Sequence, residues 1–279
     1  MKTYYKIVKK PFFGRFMIPW KNPLSQEQIK EWNSISFKSK SGALLKGMYT
    51  SSKKEYSKAT IVLGHPMGKE AKGYFLKNGY TDILRNQGYN VFIFDINGFG
   101  ESEIGNFNYY EDIIVAGDTA RDVFPDTALG YLGISLGGQW ATIAFAEKHP
   151  YDFAIVESAA NTLDDFWMQY PFANFALKTL NMLAPKLRKK VRMIDRIKEA
   201  HSLQKVLFIY LDKDELIKDD AGYHFNKAIP ITSELHIISN AAHAQIPKSK
   251  SRYDYFNKII SFFDYQTELH LKQKTILKS

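Results

Sequence analysis

The sequence predicts one α/β domain, a mostly parallel central sheet with helices on both faces. Three observations predict it. From residue 60 onward, short apolar runs that read as buried strands alternate with segments of helical period. A Gly-x-Ser-x-Gly stretch falls where one such strand gives way to a helix. The chain has 279 residues, 45% of them hydrophobic and 24% charged, which suits a single sizeable core.

The elements follow in order. Residues 1–30 are basic and aromatic and read as a peripheral arm, with Pro11, Pro19 and Pro23 breaking regular structure. Ile35 to Lys38 alternates, Ser41-Gly42 turns, and Ala43 to Tyr49 returns, which predicts an antiparallel hairpin. Thr60 to Gly64 is an apolar run bounded like a buried strand. Residues 73–87 carry Phe75, Tyr80, Ile83 and Leu84 at helical spacing, and Asn90 to Asp95 is the next strand. A helix over 109–124 places Ile113, Ile114 and Ala120 inward. Leu129 to Gly133 is a strand, Leu136 to about Lys148 a helix, and Asp152 to Glu157 a strand. Residues 161–200 interrupt the rhythm. It resumes with a strand at Lys205–Leu211, a helix at 219–228, a strand at Glu234–Ile238 and a closing helix at 253–265. The expected organisation is an arm (1–30), a core (31–160 and 201–268), an insertion (161–200) and a tail (269–279). No repeat or low-complexity segment is present, and the order of strands is not readable from the pattern.

Composition removes several functions. The chain has no cysteine, which excludes disulfides, thiolate catalysis and Cys-ligated metals and fits a reducing cytoplasm. No run approaches the ~20 apolar residues of a membrane span, and the first 20 residues lack an uninterrupted apolar stretch of signal-peptide length. A soluble cytoplasmic protein is expected. Net charge is +9, from 38 basic and 29 acidic residues. Such a surplus favours anionic substrates, membrane surfaces or nucleic acid, with plain solubility as the alternative. No nucleic-acid motif accompanies it, so nucleic acid is not an expected partner.

The residues that carry chemistry begin with Gly133-Ile134-Ser135-Leu136-Gly137. Small residues on both sides let a serine take a strained backbone and present its hydroxyl above the sheet. The plain alternative is a Gly-rich helix start with a capping serine. Serine needs a base. His243, in the loop Ser239-Asn240-Ala241-Ala242-His243-Ala244-Gln245 after the last strand, is the candidate. His236 lies within a strand, His224 in a helix, and His149 beside Pro150. The third member should orient the base, and Asp214 follows the Lys205–Leu211 strand by a short turn. Asp212 and Glu157 remain rival acids. An oxyanion needs backbone N–H donors already in place. Leu136 supplies one, and in His65-Pro66-Met67-Gly68 the proline has no N–H, which leaves Met67 for the other.

These residues resemble the α/β-hydrolase superfamily, over about Ile35 to Phe263. His65-Pro66-Met67-Gly68 is similar to its His-Gly oxyanion loop. Asp95-Ile96-Asn97-Gly98-Phe99-Gly100-Glu101-Ser102 is similar to its D-x-R-G-x-G-x-S segment. Gly133 to Gly137 matches the nucleophile elbow, and Asp214 and Ala242-His243 resemble the acid and base loops. The nearest resemblance is to the serine aminopeptidase and monoacylglycerol lipase-like group. Pro66, Asn97 and Leu211 depart from the usual Gly, Arg and Gly. The resemblance implies the α/β-hydrolase fold, with residues 161–200 as a small helical cap. The first half of that cap is apolar (Phe166, Trp167, Met168, Tyr170, Phe172, Phe175, Leu177, Leu180, Met182, Leu183). Its second half is basic (Lys186, Arg188, Lys189, Lys190, Arg192, Arg196, Lys198). A lid with an apolar acyl pocket and a basic rim is one reading; a helix pair packed on the domain is the other.

The expected function is a serine hydrolase of carboxylic esters with an apolar acyl group, acting on a small-molecule ester or lipid-like substrate without metal or organic cofactor. Amide or peptide hydrolysis and acyl transfer use the same triad, and a non-catalytic binding module is the alternative outside enzymology. Association with an anionic membrane surface through Lys2, Lys6, Lys9, Lys10, Phe12, Phe13, Phe16 and Trp20 is compatible with catalysis.

Overall fold

A computed structural model of the protein describes residues 2–183 and 191–276. The arm is not irregular throughout. Helix α1 (Lys2–Phe13) runs through Pro11, contrary to the expectation that this proline breaks it. Pro11 lies in the last turn, where its missing N–H costs one helical hydrogen bond near an end that frays anyway. Burial of Phe12 and Phe13 against the domain offsets that cost by about 2 kcal/mol each. The short α2 (Gln26–Ile29) is closed by a capping box between Ser25 and Gln28.

The hairpin forms as β1 (Asn33–Lys38) and β2 (Leu44–Thr50). Next come β3 (Ala59–Gly64), α3 (Gly73–Lys77), α4 (Tyr80–Asn86) and β4 (Tyr89–Phe94). The single helix expected at 73–87 is two, because Gly79 at φ 80° turns the chain between them. α5 (Tyr109–Val123), β5 (Ala128–Ile134) and α6 (Leu136–Ala144) follow. α6 stops short of Lys148, ahead of the His149-Pro150 step that disfavours helix. After β6 (Phe153–Glu157) the insertion contributes α7 (Leu163–Trp167), α8 (Pro171–Leu183) and α9 (Met193–Arg196). The chain ends with β7 (Lys205–Leu211), α10 (Asp220–Ala228), β8 (Ser233–Ile238) and α11 (Arg252–Ile276). α11 continues well past the expected 265, through most of the segment assigned to a tail.

The eight strands form one sheet in the order β1-β2-β4-β3-β5-β6-β7-β8. β2 pairs antiparallel with β1 and β4, and every later neighbour is parallel. This is the α/β-hydrolase fold. Strand side chains alternate between two apolar cores. Val62, Phe92 and Phe94 face one, while Ile61, Leu63, Val91 and Ile93 face the other. Both faces are covered, so β3 to β6 are buried along their whole length. The parallel strands deliver the loops after β3, β5, β6, β7 and β8 to one edge, where ligands bind in open α/β sheets.

Candidate active site

β5 ends at Ile134, and Ser135 takes φ 50° and ψ −109° before α6 begins. That conformation is costly for a residue with a Cβ, about 1–3 kcal/mol. Close packing holds it. The Ser135 N–H donates to the Glu157 carbonyl at 2.8 Å, and the Gly137 N–H donates to the His65 carbonyl at 3.1 Å. A Cβ on Gly137 would lie 2.1 Å from the Gly64 carbonyl oxygen, and one on Gly133 2.7 Å from the Gly137 carbonyl carbon. Glycine at both positions is therefore a demand of the elbow, and a plain capped helix start would not impose it.

The structure brings the three triad candidates together. The Ser135 hydroxyl lies 2.8 Å from His243 Nε2, and His243 Nδ1 lies 2.8 and 3.0 Å from the two Asp214 oxygens. An ionised carboxylate only accepts, so Nδ1 carries the proton and Nε2 is free to accept from the serine. Asp214 also accepts from the N–H groups of Leu216 and Ile217, both at 2.9 Å, and from the Ser158 hydroxyl at 2.9 Å. Burial opposes its charge, but the His243 contact and these N–H bonds outweigh it and hold the carboxyl below the usual range. On the other side, the Tyr74 hydroxyl donates to the Ala244 carbonyl at 3.0 Å and steadies the loop that carries the base.

The proposed oxyanion donors flank the same point. Leu136 is the first residue of α6, where N–H groups have no partner within the helix. Met67 follows β3 in a turn held by His65. The fully buried His65 ring accepts from the Ile96 N–H at Nε2 (3.0 Å), while Nδ1 sits 2.8 Å from the Pro66 carbonyl. Those partners assign the neutral tautomer with the proton on Nδ1, and burial lowers the ring's pKa accordingly. Met67 and Leu136 both line a cleft with Ser135.

A family profile described as serine aminopeptidase, S33, matches residues 55–205, over half of the chain. The chain belongs to the serine aminopeptidase S33 family. Among solved structures, this hydrolase is similar to the esterase Pf2001 of Pyrococcus furiosus. The two are 17% identical, with a TM-score of 0.69 over 90% of this chain and 100% of that one. It is also similar to XC6422 of Xanthomonas campestris, described as an α/β serine hydrolase without lid. There the identity is 15% and the TM-score 0.58, over 88% of this chain and 97% of that one. The acylaminoacyl peptidase of Pyrococcus horikoshii is 18% identical with a TM-score of 0.61, over 86% of this chain and 42% of that one. Likeness at these identities is likeness of fold. No curated protein matches the chain.

The rival residues of the S33 hydrolase are engaged elsewhere. Asp212 accepts from the Asn240 N–H at 2.8 Å. The buried Glu157 carboxyl accepts from the Tyr255 hydroxyl. His149 bonds the Tyr151 N–H and lies 2.8 Å from the Ser202 hydroxyl, with burial lowering it to about 4. His224 lies 3.0 Å from the Asn161 amide, and His236 is half-buried on the edge strand β8.

The cap divides differently from its sequence halves. Phe166, Trp167 and Leu177 are buried, whereas Met168, Phe172, Phe175, Met182 and Leu183 are exposed. Of the basic half, Lys186, Arg188, Lys189 and Lys190 lie outside the described residues. Arg192 and Lys198 pair with Asp195, and Arg196 pairs with Glu147 and Glu199, so these three are no free basic rim. α1 is part of the roof. Phe12 and Phe13 pack on Trp167 with ring centroids 5.3 and 5.4 Å apart.

Sequence reasoning did not foresee how α1 is anchored. The Lys9 ammonium is buried, donates to the Asn97 side-chain carbonyl, and sits 4.2 Å from the centroid of the Tyr109 ring. Burial lowers it to about 7 against the pull of Asp112. Asn97 also donates to Asp112, which accepts from Ser39 and Ser41 as well. Asn97 stands where the superfamily has arginine, and here a lysine from α1 donates to it. Lys9, Phe12 and Phe13 are thus removed from the set expected to face a membrane.

Proposed function

We propose that this protein is a serine hydrolase of carboxylic esters with an apolar acyl group, working through an acyl-enzyme intermediate. The observation that carries the reading is the continuous hydrogen-bond line from Ser135 through His243 to Asp214. It borders an open cavity of about 330 Å³. In this reading Ser135 attacks the ester carbonyl as His243 Nε2 takes its proton, and Asp214 stabilises the resulting imidazolium. The Met67 and Leu136 N–H groups stabilise the oxyanion. Collapse expels the alcohol, which receives the proton from His243. Water then attacks the acyl carbonyl as His243 takes its proton; collapse breaks the ester bond to Ser135, whose oxygen recovers the proton from His243, and the acid leaves. A cytoplasmic location belongs to the same reading, supported by the cysteine-free sequence.

A fluorophosphonate probe tests it. Wild type should label, Ser135→Ala should not, and His243→Ala and Asp214→Asn should lose about 10⁴-fold in kcat on p-nitrophenyl esters. Equal labelling of Ser135→Ala would refute the assignment. Rates on aminoacyl arylamides separate esterase from amidase, and acceleration by added alcohols or thiols would favour acyl transfer.

We further propose weak association with anionic lipid surfaces through the outer faces of α1 and α8. Tyr4, Ile7, Phe172, Phe175 and Met182 are exposed there, with Lys6, Lys10 and Lys178 among them. Salt-sensitive sedimentation with phosphatidylserine vesicles is expected, and no sedimentation at low salt would remove the idea.

A further inference from the structure

The surface around Ser135 is divided in two. The larger cavity, about 330 Å³, is bordered by Ser135, Met67 and His243, and its lining mixes Lys69, Glu70 and Gln245 with Phe16, Phe166 and Tyr170. The smaller, about 10 Å³, also touches Ser135 and Met67 but is not lined by His243. Its other walls are Leu136, Trp140, Leu163, Phe166, Trp167 and, from α1, Phe13, together with Gln139.

Serine-ester chemistry assigns the two. The tetrahedral carbon carries four groups: the serine oxygen, the oxyanion, the leaving oxygen and the acyl chain. The oxyanion turns to the Met67 and Leu136 N–H groups. The leaving oxygen must lie within hydrogen-bond reach of His243 Nε2, which protonates it. The larger cavity is lined by His243 and so takes the leaving oxygen, while the smaller one, whose walls are almost all apolar, suits the acyl chain. A space of about 10 Å³ holds roughly one water-sized group. Packed rings bound it on the α1 side. Phe13 lies edge-on to Phe99, Tyr109 and Trp167, with centroids 5.6, 5.6 and 5.4 Å away.

We infer that the enzyme takes the shortest acyl groups, acetyl foremost, and that Phe13 of α1, with Trp167 of α7, sets the limit. The larger, more polar cavity receives the alcohol portion. This inference rests on the serine-hydrolase reading and narrows its apolar acyl group to a short one.

The test uses p-nitrophenyl acetate, butanoate and octanoate, which share one leaving group. Enzyme is counted by fluorophosphonate titration. Wild-type kcat/KM should fall by about tenfold or more from acetate to octanoate. In Phe13→Ala and in Trp167→Ala the octanoate-to-acetate ratio of kcat/KM, counted per labelled site, should rise by about tenfold. Phe13→Leu, which preserves the apolar anchor of α1, should raise the butanoate rate and carries the test if the alanine variants do not fold. A wild-type enzyme that labels fully yet prefers octanoate would overturn the short-acyl inference and leave the serine-hydrolase reading standing. Folded, fully labelled variants with unchanged chain-length ratios would overturn the role of Phe13 and Trp167. No labelling of the folded wild type would overturn the underlying reading, and this inference with it.

Discussion

Glu157 offers a sharp test of the electrostatics beneath the elbow. It ends β6, next to β5, and its backbone carbonyl takes the Ser135 N–H. Its side chain is fully buried. One oxygen accepts from Tyr255, and the other, Oε1, has no hydrogen-bond partner among the described residues. Burial raises its pKa from an ordinary 4.5 to about 7, with Asp214 adding to the rise and Tyr255 and His243 opposing it. In the unfolded chain the carboxyl ionises from about pH 4.5, while in the fold it keeps its proton until about pH 7. The unfolded state therefore binds fewer protons between those values, and stability falls as pH rises through the window. A rise of this size is worth about 3 kcal/mol. Glu157→Gln keeps an acceptor for Tyr255 and removes the ionisation. Denaturation of both proteins from pH 4.5 to 8.5 should show the variant gaining about 3 kcal/mol on the wild type, nearly all of it below pH 7.5. A gap that stays flat across the window would mean that Glu157 ionises in the fold as readily as in the unfolded chain.

His65→Ala leaves the Ile96 N–H and Pro66 carbonyl without their ring partner, at about 1–3 kcal/mol each. Because the same ring holds the Met67 turn, kcat on esters should fall by about 10²-fold in protein that remains folded. Unchanged kcat would show that the turn holds itself. Lys9→Met removes a buried ammonium whose pKa burial lowers to about 7. Wild-type stability should therefore rise with pH from about 7 toward 10, and the variant's advantage in thermal melting should shrink over that range. An advantage that widens would reverse the assigned sign.

The parallel core was legible because its strands are buried on both faces and read as continuous apolar runs, as at Thr60–Gly64 and Asn90–Phe94. The elbow was legible because its glycines answer a steric demand, shown by the 2.1 Å approach of a Gly137 Cβ to the Gly64 carbonyl. Along the chain Ser135, Asp214 and His243 each follow a strand, β5, β7 and β8, and the sheet order brings those ends to one edge. α1 was not legible. Pro11 argued against a helix, and Lys9 stands in a lysine-rich stretch that reads as solvated. Distant partners, Asn97, the Tyr109 ring and Asp112, give its charge a reason to be inside. His65 stood inside a recognised loop, but a ring that bonds back to Ile96 leaves no periodic trace. The break at Gly79 hid within apolar spacing that continues across it.

The seating of α1 also bears on how the molecule comes into being. Lys9 precedes Asn97 by 88 residues, and the ring that Phe12 and Phe13 rest on belongs to Trp167, further on still. Ribosomal synthesis releases the helix long before its berth exists, with Phe12 and Phe13 awaiting cover. A fusion ahead of Lys2 would burden the very element that must swing in late to seat Phe13 against Trp167.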